Sequence, residues 1–382
     1  MRDEASPERA TGDDVELMAR AVALGAGVRY RTPPNPWVGS VVVADGRIVG
    51  EGATEPPGGR HAEVLALATA GDRARGATVY ATLEPCPHHG RTSPCAEALI
   101  EAGVERVVVA VADPDPRVAG RGIERLRAAG ITVDVGVGAD AVVDDLAPYL
   151  HHRSTGRAFC LMKSAMSLDG RVTAAAGASR WITGEQARAA AHGLRADSQA
   201  VVVGSGTALA DEPALTVRLA GGAMEPPHDP PRQPVRVLLD ARGRVPASGP
   251  LFDPALAPTL VVTTDAAPAT ATDGWRSAGA KVEVLDPSAA GGVDLPAVLE
   301  LLGREGVLQA MFEGGPTVHG ALLSQDLPDR IVAYLANTVL GPGGRPAFDG
   351  GLPAALGDAP RLRLRSARPL GDDVRLEYAE RR

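Results

Sequence analysis

The alternation of apolar and polar positions along the first third of the chain predicts a mixture of helices and strands. A helix is expected from Asp13 to Gly25, followed by a hairpin in WVGSVVVADGRIVGEG whose Asp45-Gly46 pair is typical of a two-residue turn. A second helix is expected from His61 to Ala70. The apolar runs ATVYATLEPC, VERVVVAVAD and ITVDVGV predict strands, which alternate with the predicted helices PCAEALIEAG and GRGIERLRAAG. This alternation is typical of a layered α/β domain.

The rest of the chain predicts a second α/β domain of the same kind. A closing helix is expected from Ala139 to His152, and HRSTGR is interpreted as a linker. Beyond it, AFCLMKSAMS, SQAVVVGSGTALADEP, PVRVLLD, PTLVVTT and KVEVL predict strands, GEQARAAAHGLRA predicts a helix, and VLQAMFEGGPTVHGALL predicts a strand that leads into a helix. The proline-dense run from Gly221 to Pro234 predicts an exposed loop. We therefore expect two domains, residues 1–152 and 153–382.

Composition and charge narrow the classes of function. The 382 residues are 45% hydrophobic and 23% charged, and no run of 18 apolar residues predicts a membrane span. The net charge is -8 and only 3% of the residues are aromatic, which disfavours nucleic-acid binding, because such proteins usually present basic faces and stacking aromatics. The charged first segment, MRDEASPERATGDD, lacks the apolar core of a signal peptide, so a cytoplasmic location is expected.

Lysine is rare in this sequence. Only Lys163 and Lys281 occur, against 37 arginines, among abundant alanine, glycine and proline. A lysine retained under such a bias points to a role that arginine cannot take, because an ammonium group differs from a guanidinium in shape and in its ability to lose a proton. Lys163 lies in a predicted strand and is a candidate for such a role, whereas Lys281 is interpreted as a surface residue.

Two of the three cysteines lie in EPCPHHGRTSPC, where the sequence predicts a metal site. Cys86 follows a predicted strand, Cys95 begins a helix, and His61 begins another helix. Helix N-termini favour thiolates, and one imidazole with two thiolates is a ligand set of catalytic zinc sites that keep a fourth position open. His88 in place of one cysteine is the alternative. Cys160 lies inside an apolar strand and is interpreted as a buried small hydrophobic residue.

Glu63 stands two residues after His61 and completes a zinc deaminase signature. The signature consists of H-x-E, then P-C, then a second cysteine, and it belongs to enzymes that act on exocyclic amines of rings. In that chemistry zinc activates a water for attack on the amine-bearing carbon, and the glutamate carries protons so that ammonia can leave. We therefore assign Glu63 the role of general base, and we expect one Zn2+ per chain.

Six motifs extend this picture to the whole chain. TPPNPWVGSVVV, HAEVLAL, TLEPCPHHGRTSPC, MSLDGR, LADEPALTVR and EGGPTVHGALL resemble motifs of the bifunctional deaminase-reductases of riboflavin biosynthesis, and the likeness extends from Asp13 to Glu377. The resemblance implies an N-terminal cytidine-deaminase-like α/β/α sandwich and a C-terminal dihydrofolate-reductase-like α/β domain. It implies hydrolytic deamination of 2,5-diamino-6-(5-phosphoribosylamino)pyrimidin-4-one, then reduction of the ribosyl group of the uracil product to ribityl by NADPH. It also implies a homodimer or homotetramer assembled through the reductase domains.

The resemblance accounts for the long spacing between the two cysteines. Nucleoside and tRNA deaminases use a short Cys-x-x-Cys, whereas this family inserts a substrate loop. By motif match, the groups that hold the pyrimidine and its ribose phosphate are Asn35, His88 and Arg91. A guanidinium at Arg91 suits a phosphate group.

The second half contains two glycine-rich turns that follow strands, in VVVGSGTALAD and MFEGGPTVHGALL. Such turns can hold the phosphates of a dinucleotide, although neither is the GxGxxG of a standard Rossmann domain. By motif match, the resemblance implies NADPH contacts at Met166, Trp181, Thr207, Asp211, Gly315, Pro316 and Thr317. It implies substrate contacts at Ser179, Arg195, Leu215, Arg218 and Glu313. Lys163 falls on the family's strand lysine, and we hypothesise that it protonates or orients the opened sugar during hydride transfer to the ribose C1.

Alternatives to this assignment stay open at this point. A deaminase-reductase for another phosphorylated pyrimidine is favoured by Thr54, which stands where many family members have a histidine. Glu55 or Arg60 could take the place of that histidine. A nucleic-acid deaminase is disfavoured by the acidic charge and the long loop between the cysteines. A zinc-stabilised, non-catalytic scaffold is disfavoured because the metal ligands, the glutamate and the strand lysine are all retained. Asp169 and Asp240 are interpreted as turn residues rather than catalytic acids.

Overall fold

The computed structural model describes residues 12–88, 94–175, 181–218, 232–353 and 355–380. The chain divides into two compact units, Met1–Gly156 and Arg157–Arg382, a few residues beyond the boundary expected after residue 152. Each unit is a layered α/β structure built on one sheet. In the part of the chain so described, no helix combines the length and the apolar character that a membrane crossing requires.

The first unit is built on a five-stranded sheet. Its strands are β1 (Gly39–Ala44), β2 (Arg47–Ala53), β3 (Thr78–Leu83), β4 (Arg106–Val111) and β5 (Thr132–Val135). They lie in the order β2-β1-β3-β4-β5, with β1 antiparallel to both of its neighbours and β3, β4 and β5 parallel. Asp45 and Gly46 form the hairpin turn with φ of 50° and 70°, as the Asp-Gly prediction requires.

Helices cover both faces of this sheet. They are α1 (Gly12–Ala26), α2 (Ala62–Ala70), α3 (Cys95–Ala102), α4 (Arg121–Ala128), α5 (Ala139–Asp145) and α6 (Ala147–Thr155). On one face, Ala66, Leu99 and Leu126 of α2, α3 and α4 bury against sheet valines. The other face packs on α1, where the Tyr80 hydroxyl donates a hydrogen bond of 2.6 Å to Asp14. The unit is thus the expected α/β/α sandwich.

The helix predicted over 139–152 is in fact two helices that meet at Leu146. The first ends at Asp145, and the second begins at Ala147 with Pro148 in its first turn. Proline has no N–H for the hydrogen bond that a continuous helix needs there, and it is well suited to begin a helix. The prediction of one closing helix is therefore wrong at this point.

The second unit is built on a nine-stranded sheet. Its strands are β6 (Phe159–Met166), β7 (Ala200–Gly204), β8 (Val235–Leu239), β9 (Thr259–Thr263), β10 (Lys281–Val284), β11 (Gln309–Gly314), β12 (Arg330–Leu335), β13 (Leu362–Leu370) and β14 (Asp373–Glu380). Their order is β10-β9-β8-β7-β11-β6-β12-β14-β13. The strands from β10 to β12 are parallel, β14 is antiparallel to β12, and β13 is antiparallel to β14. All the parallel strands therefore end at one carboxyl edge, where ligands of such sheets usually bind.

In the described part of the second unit, α-helices pack on this sheet or follow its carboxyl edge. They are α7 (Glu185–Asp197), α8 (Ser205–Asp211), α9 (Ala269–Ser277), α10 (Leu295–Arg304) and α11 (Pro316–Ser324). Leu299 and Leu322 pack with Phe312 in the largest core cluster. The sequence analysis predicts α7 and α11 but not the other three. The short helices α8 and α9 are rich in glycine and threonine, which have low helix propensity, so they form because tertiary packing favours them; the leucine-rich α10 has no such feature in its sequence and was simply not predicted.

Candidate active sites

Three side chains predicted to bind metal come together at one end of the first sheet. His61 immediately precedes α2, Cys86 lies just beyond the end of β3, and Cys95 is the first residue of α3. One ligand atom from each lies within 4.8 Å of the other two. The His61 Nδ1 atom lies 3.2 Å from Cys95 Sγ and 3.6 Å from Cys86 Sγ. An imidazole nitrogen and two sulfurs so arranged fit a zinc ion with an open position.

The two cysteines differ in the pKa of their thiols. A hydrogen bond from the Cys95 thiol, with a further bond from His61, lowers the pKa of Cys86 to about 4 although burial opposes this. The backbone N–H of Cys95 also donates to Cys86 Sγ at 3.4 Å. The pKa of Cys95 is raised by the same thiol pairing and by burial. Without metal, the shared proton of the pair therefore lies on Cys95, and zinc binding requires both thiols to be deprotonated.

Glu63 lies in the first turn of α2, beside the ligand triad and not among its ligand atoms. Its side chain is 3% exposed. Burial, with the negative charge of Cys86, raises the pKa of Glu63 to about 7. A carboxyl group with a pKa near neutrality can both accept and return a proton, which is what a general base in a deaminase must do.

Glycine at position 52 allows the close approach that places α2 against β2. A Cβ atom on Gly52 would lie 2.2 Å from the carbonyl oxygen of Ala62, so only glycine lets the helix begin at this distance. His61 and Glu63 flank Ala62. The close packing at Gly52 therefore sets the distance between β2 and the start of α2, which carries both functional side chains.

Glu84, which the sequence analysis does not single out, anchors the segment that carries Cys86. Its buried carboxylate accepts four backbone N–H groups, with distances of 2.8 to 3.2 Å. The donors are Asp113, Gly120, Gly122 and Ile123. A Cβ atom on Gly122 would lie 1.9 Å from the carbonyl oxygen of Pro85, so this contact also requires glycine. The available signal in the sequence is an acidic residue directly before Pro-Cys at the end of an apolar strand.

Two of the three residues predicted to bind the pyrimidine and its phosphate lie in the described part of the chain. Asn35 is half-buried in the loop before β1, and its N–H donates to the carbonyl of Thr32 at 2.9 Å. His88 is half-buried, and its Nδ1 has no hydrogen-bond partner within the described ranges. Arg91 lies outside the described residues. Among the described residues, no group competes with a ligand for His88 Nδ1.

Thr54, at the position of the family histidine, is buried, and its hydroxyl is occupied by backbone groups. It accepts the N–H of Val38 at 3.2 Å and lies 3.4 Å from the carbonyl of the same residue. Glu55 and Arg60 pair with each other across the loop, with an N–O distance of 3.2 Å. Neither of these two charged groups replaces a histidine here without giving up its partner.

In the second unit, Lys163, Arg195 and Glu313 form a half-buried cluster toward the carboxyl end of the sheet. Lys163 follows the paired residues Met162 and Phe312 on β6, and Glu313 follows them on the neighbouring strand β11. Glu313 also stands at a register shift between β11 and β7, and such bulges re-aim side chains near active sites. The Arg195 guanidinium donates two hydrogen bonds to the Glu313 carboxylate, one of them 2.7 Å long.

The charges of this cluster are set by burial and by the ion pair. Burial alone would raise the pKa of Glu313, but the guanidinium of Arg195 outweighs it and lowers the pKa to about 2. Burial lowers the pKa of Lys163, while the Glu313 charge limits that fall. The lysine is thus held closer to the range in which an ammonium group can give up a proton.

Two histidines of this unit were not predicted as site residues. Burial lowers the pKa of His192 to about 4, and its Nδ1 accepts the N–H of Arg218 at 3.2 Å. Burial also lowers the pKa of His319 to about 4; this residue is 4% exposed, and its ring lies 6.2 Å from that of Phe348. Both rings are therefore neutral at pH 7. A sign in the sequence is His192 one helical turn before Arg195.

The residues predicted for NADPH lie at the ends of neighbouring strands. A Cβ atom on Gly314 or Gly315 would lie 3.0 or 3.1 Å from Thr207 Oγ1, so the turns after β7 and β11 touch. Gly315 has a φ of 87°, which favours glycine, and Pro316 begins α11. This close, side-chain-free turn leading into a helix fits the phosphates of a dinucleotide.

The remaining predicted residues of the second unit occupy different settings. Trp181 is 69% exposed, with the Arg188 guanidinium 4.8 Å from the centre of its ring. Leu215 is buried and has a φ of 52°, whereas Arg218 is exposed and donates to Thr216 Oγ1 at 3.2 Å. Met166 lies at the end of β6, Asp211 at the end of α8 and Thr317 in α11. Ser179 lies outside the described residues.

Three residues set aside as structural have the contacts of structural residues. Asp169 accepts the backbone N–H groups of Leu340 and Gly341 at 3.0 and 2.8 Å. Asp240 accepts the N–H of Val245 at 2.7 Å and is fully buried. Cys160 is fully buried as well.

Comparisons with known proteins match both units. The family described as cytidine and deoxycytidylate deaminase zinc-binding region matches residues 12–111, and the family described as RibD C-terminal domain matches residues 158–376. The riboflavin biosynthesis protein RibD of Chlamydia pneumoniae is 44% identical over 362 residues, covering 95% of this chain and 94% of its own. RibD of Escherichia coli K12 is 41% identical over 368 residues, covering 94% of this chain and 98% of its own.

Solved structures are similar over nearly the full length. Acinetobacter baumannii RibD, form 1, superposes with a TM-score of 0.85 at 37% identity, covering 97% of this chain and 99% of its own. A diaminohydroxyphosphoribosylaminopyrimidine deaminase/5-amino-6-(5-phosphoribosylamino)uracil reductase from Thermotoga maritima superposes with a TM-score of 0.83 at 32% identity, covering 96% of this chain and 99% of its own. The same relatives therefore match the zinc-binding unit and the reductase unit together.

Proposed function

The chain belongs to the RibD family of bifunctional deaminase-reductases of riboflavin biosynthesis, and we propose that each of its two units performs one of the two reactions at the residues described above. It is an enzyme with a zinc-binding deaminase domain and an NADPH-using reductase domain. The proposal concerns the boundary of these domains near residue 156 and the role of each site residue.

In the deaminase, His61, Cys86 and Cys95 hold the metal. Bound zinc supplies a Lewis acid that makes a water nucleophilic toward the amine-bearing carbon of the pyrimidine. Glu63 accepts a proton from that water and returns it to the leaving amine, so that water and the aminopyrimidine become ammonia and the ring carbonyl. The pKa of Glu63, raised to about 7 by burial and the charge of Cys86, supports this two-way proton transfer.

Substrate binding in the deaminase falls to the loops beside the metal. Asn35 and the free Nδ1 of His88 are suited to the polar edge of the pyrimidine, and Arg91 is suited to the ribose phosphate. Thr54 supplies no free polar group, because its hydroxyl bonds to the backbone of Val38. The loop that holds the histidine in other family members therefore contributes shape rather than a hydrogen bond in this chain.

In the reductase, the Lys163 cluster acts on the sugar. NADPH supplies a hydride to the ribose C1, and a proton must reach the ring oxygen as the sugar opens. Lys163 donates or orients that proton. The negative charge of Glu313 keeps the Lys163 ammonium group close to the reacting end of the sugar. Arg195 fixes Glu313, while Ser179, Leu215 and Arg218 complete the substrate side.

The NADPH side is formed by the glycine turn of Gly315 to Thr317 and by Thr207, which touches it. Met166, Trp181 and Asp211 complete this side by their match to the family motifs. The close approach of two strand-to-helix turns supports a dinucleotide there, because backbone N–H groups and a helix N-terminus attract phosphate.

We also propose a homodimer or homotetramer that works in the cytoplasm on the free phosphorylated pyrimidine. The outer strand β13 supports an assembly, since Leu362 and Leu364 on it are 37% and 53% exposed and its outer backbone groups face no strand among the described residues. Light scattering during size-exclusion chromatography would test the assembly. A monomer at micromolar concentration would contradict it.

The observation that supports this function most directly is the His61, Cys86 and Cys95 cluster with the buried Glu63 beside it. The test is a one-pot assay of the zinc-loaded protein with the diaminopyrimidine ribosylamine phosphate and NADPH. We expect ammonia release and NADPH consumption together, and loss of ammonia release in Glu63→Ala. Ammonia release without NADPH consumption would contradict the reductase assignment. Turnover only with another phosphorylated pyrimidine would support the alternative substrate that Thr54 favours.

A further inference from the structure

Two residues proposed for the substrate side of the reductase, Leu215 and Arg218, lie in one short segment that follows α8. The segment, residues 215–218, belongs to none of the described strands. Burial alternates along it, because Leu215 and Val217 are 2% and 5% exposed, whereas Thr216 is half-buried and Arg218 is exposed. A period of two is typical of an extended chain with one face against the protein. The segment therefore has an inner face and an outer face, and Arg218 lies on the outer one.

Side chains of α7 bond to one edge of this segment. The Arg195 guanidinium donates to the carbonyl of Thr216 at 2.9 Å. The His192 Nδ1 atom accepts the N–H of Arg218 at 3.2 Å. In an extended chain, backbone groups of residues two apart point to the same side, as these two groups do. The helix thus takes the place that a neighbouring strand would have.

Gln233 bonds to the opposite edge. Its Oε1 atom accepts the N–H of Val217 at 2.8 Å, and its Nε2 atom donates to the carbonyl of the same residue at 3.3 Å. A side-chain amide can do both because it carries an acceptor and a donor side by side. Gln233 lies two residues before β8 and is thereby tied to the sheet. Among the described residues, no backbone group takes over these bonds to Val217.

The two edges together define a single register. A slip of one residue would turn the backbone groups of Val217 toward α7 and would move Arg218 to the inner face. The chain enters the segment at Leu215 with a φ of 52°, which separates it from α8 by a turn. In the observed register, the Arg218 guanidinium donates to Thr216 Oγ1 at 3.2 Å, so it lies along the outer face.

The same face of α7 connects the segment to the reacting groups. The Arg195 guanidinium that bonds to the segment also bonds to the Glu313 carboxylate at 2.7 Å. His192 lies one helical turn before Arg195. Burial, with the positive charges of Arg195 and Arg218, lowers the pKa of His192 to about 4. The ring is therefore neutral at pH 7, which leaves Nδ1 able to accept a hydrogen bond.

We propose that His192 and Gln233 are positioning residues of the reductase, which hold residues 216–218 in one register so that Arg218 faces the phosphate of the substrate. This inference rests on the proposed reductase function, in which Arg218 belongs to the substrate side. The phosphate is at the end of the sugar away from C1, and a guanidinium suits it. Both residues act through the segment and not on the reacting atoms.

The test measures NADPH consumption by the full zinc-loaded chain with the uracil product of deamination. The unaltered chain prepares this product without NADPH, and ultrafiltration removes the protein. Gln233→Leu removes two bonds to a buried residue and should raise the KM for the uracil product roughly tenfold, whereas His192→Leu removes one bond and should raise it roughly threefold. The effect should appear in KM more than in kcat, because the phosphate is bound alike before and during hydride transfer. The KM for NADPH should stay within about twofold.

Two control variants separate these contacts from a general loss of structure. His192→Asn places Oδ1 where Nδ1 accepts the N–H of Arg218, so it should return the KM to within about twofold of the unaltered chain. Gln325→Leu is the matched glutamine control, because Gln325 is exposed and bonds within α11 to the carbonyl of Ala321. It should change neither KM.

A double variant tests whether Gln233 acts through Arg218. Arg218→Ala should raise the KM for the uracil product by itself, and Gln233→Leu added to it should have little further effect, because the group that the register positions is gone. An equal further increase in the double variant would overturn the proposal, as would an unchanged KM in Gln233→Leu or an equal rise in the KM for NADPH. Failure of the unaltered chain to consume NADPH with the uracil product would overturn the reductase function itself, and this role with it.

Discussion

Replacing Glu84 by glutamine should weaken the zinc site although Glu84 is not a ligand. One oxygen of its carboxylate accepts the N–H groups of Gly122 and Ile123, and the other accepts those of Asp113 and Gly120. A glutamine oxygen can satisfy one of these pairs, but its NH2 group would then face the other pair of donors. Two buried N–H groups left without an acceptor cost about 1–3 kcal/mol each, so the loss should be roughly 2–6 kcal/mol.

The loss should appear in zinc retention as well as in stability. Glu84 stands two residues before Cys86, so release of its contacts frees the segment that positions the first sulfur ligand. We expect Glu84→Gln to lower the unfolding temperature of the first unit and to release zinc to a chelator at a concentration that the unaltered protein resists. Glu97→Gln is the matched control, because Glu97 pairs with Arg125 at the surface at 2.7 Å and such pairs contribute little. Equal zinc retention in both variants would refute this account of the segment.

Three further predictions concern other residues. Glu313→Gln leaves Arg195 buried without its counter-charge, so it should cost about 3 kcal/mol of stability in the second unit. It should also abolish NADPH consumption while ammonia release continues. Normal reductase turnover would contradict this prediction. Because burial lowers the pKa of His319 to about 4 from 6.5, the unfolded chain binds more protons between these values and folding weakens as pH falls through them. His319→Leu should therefore reduce the loss of stability between pH 7 and pH 5 by about 2 kcal/mol, measured by hydrogen exchange in β11, and an unchanged pH dependence would refute it. Cys86→Ser should bind no zinc by elemental analysis and Cys160→Ser one ion per chain; zinc in the first or none in the second would be inconsistent with the assigned ligands.

The sequence was most informative where a function needs a short, local pattern. His61 and Glu63 are two residues apart, and each Pro-Cys pair marks the boundary of a strand or a helix, so the metal site follows from spacing and chemistry together. Composition pointed to two lysines, the family resemblance selected Lys163, and the structure places Lys163 near Glu313 in a half-buried cluster. Asp45-Gly46 is a further local signal, and it forms the expected hairpin.

Features that depend on contacts between distant segments could not be predicted in this way. The pairing of β6 with β11 joins residues 150 positions apart, so nothing near Lys163 shows that Glu313 lies beside it. Glu84 and Gly122 are also far apart in the sequence, and their roles come from the contact between their segments. Gly122 donates its N–H to Glu84 and packs against the carbonyl of Pro85. The helices α8 and α9 form on weak local propensity, because the sheet edge offers surface on which they pack. The break at Leu146 had a local sign in Pro148, which a single helix could not accommodate.

The measurement that tests the two-site account most directly compares Glu63→Ala, Lys163→Met and an equal mixture of the two, each with the diaminopyrimidine substrate and NADPH. The account predicts that Glu63→Ala alone releases no ammonia and consumes no NADPH, because its reductase lacks the deaminated product. Lys163→Met alone should release ammonia without consuming NADPH, and the mixture should do both. Ammonia release by Glu63→Ala, or NADPH consumption by Lys163→Met at the unaltered rate, would contradict the account.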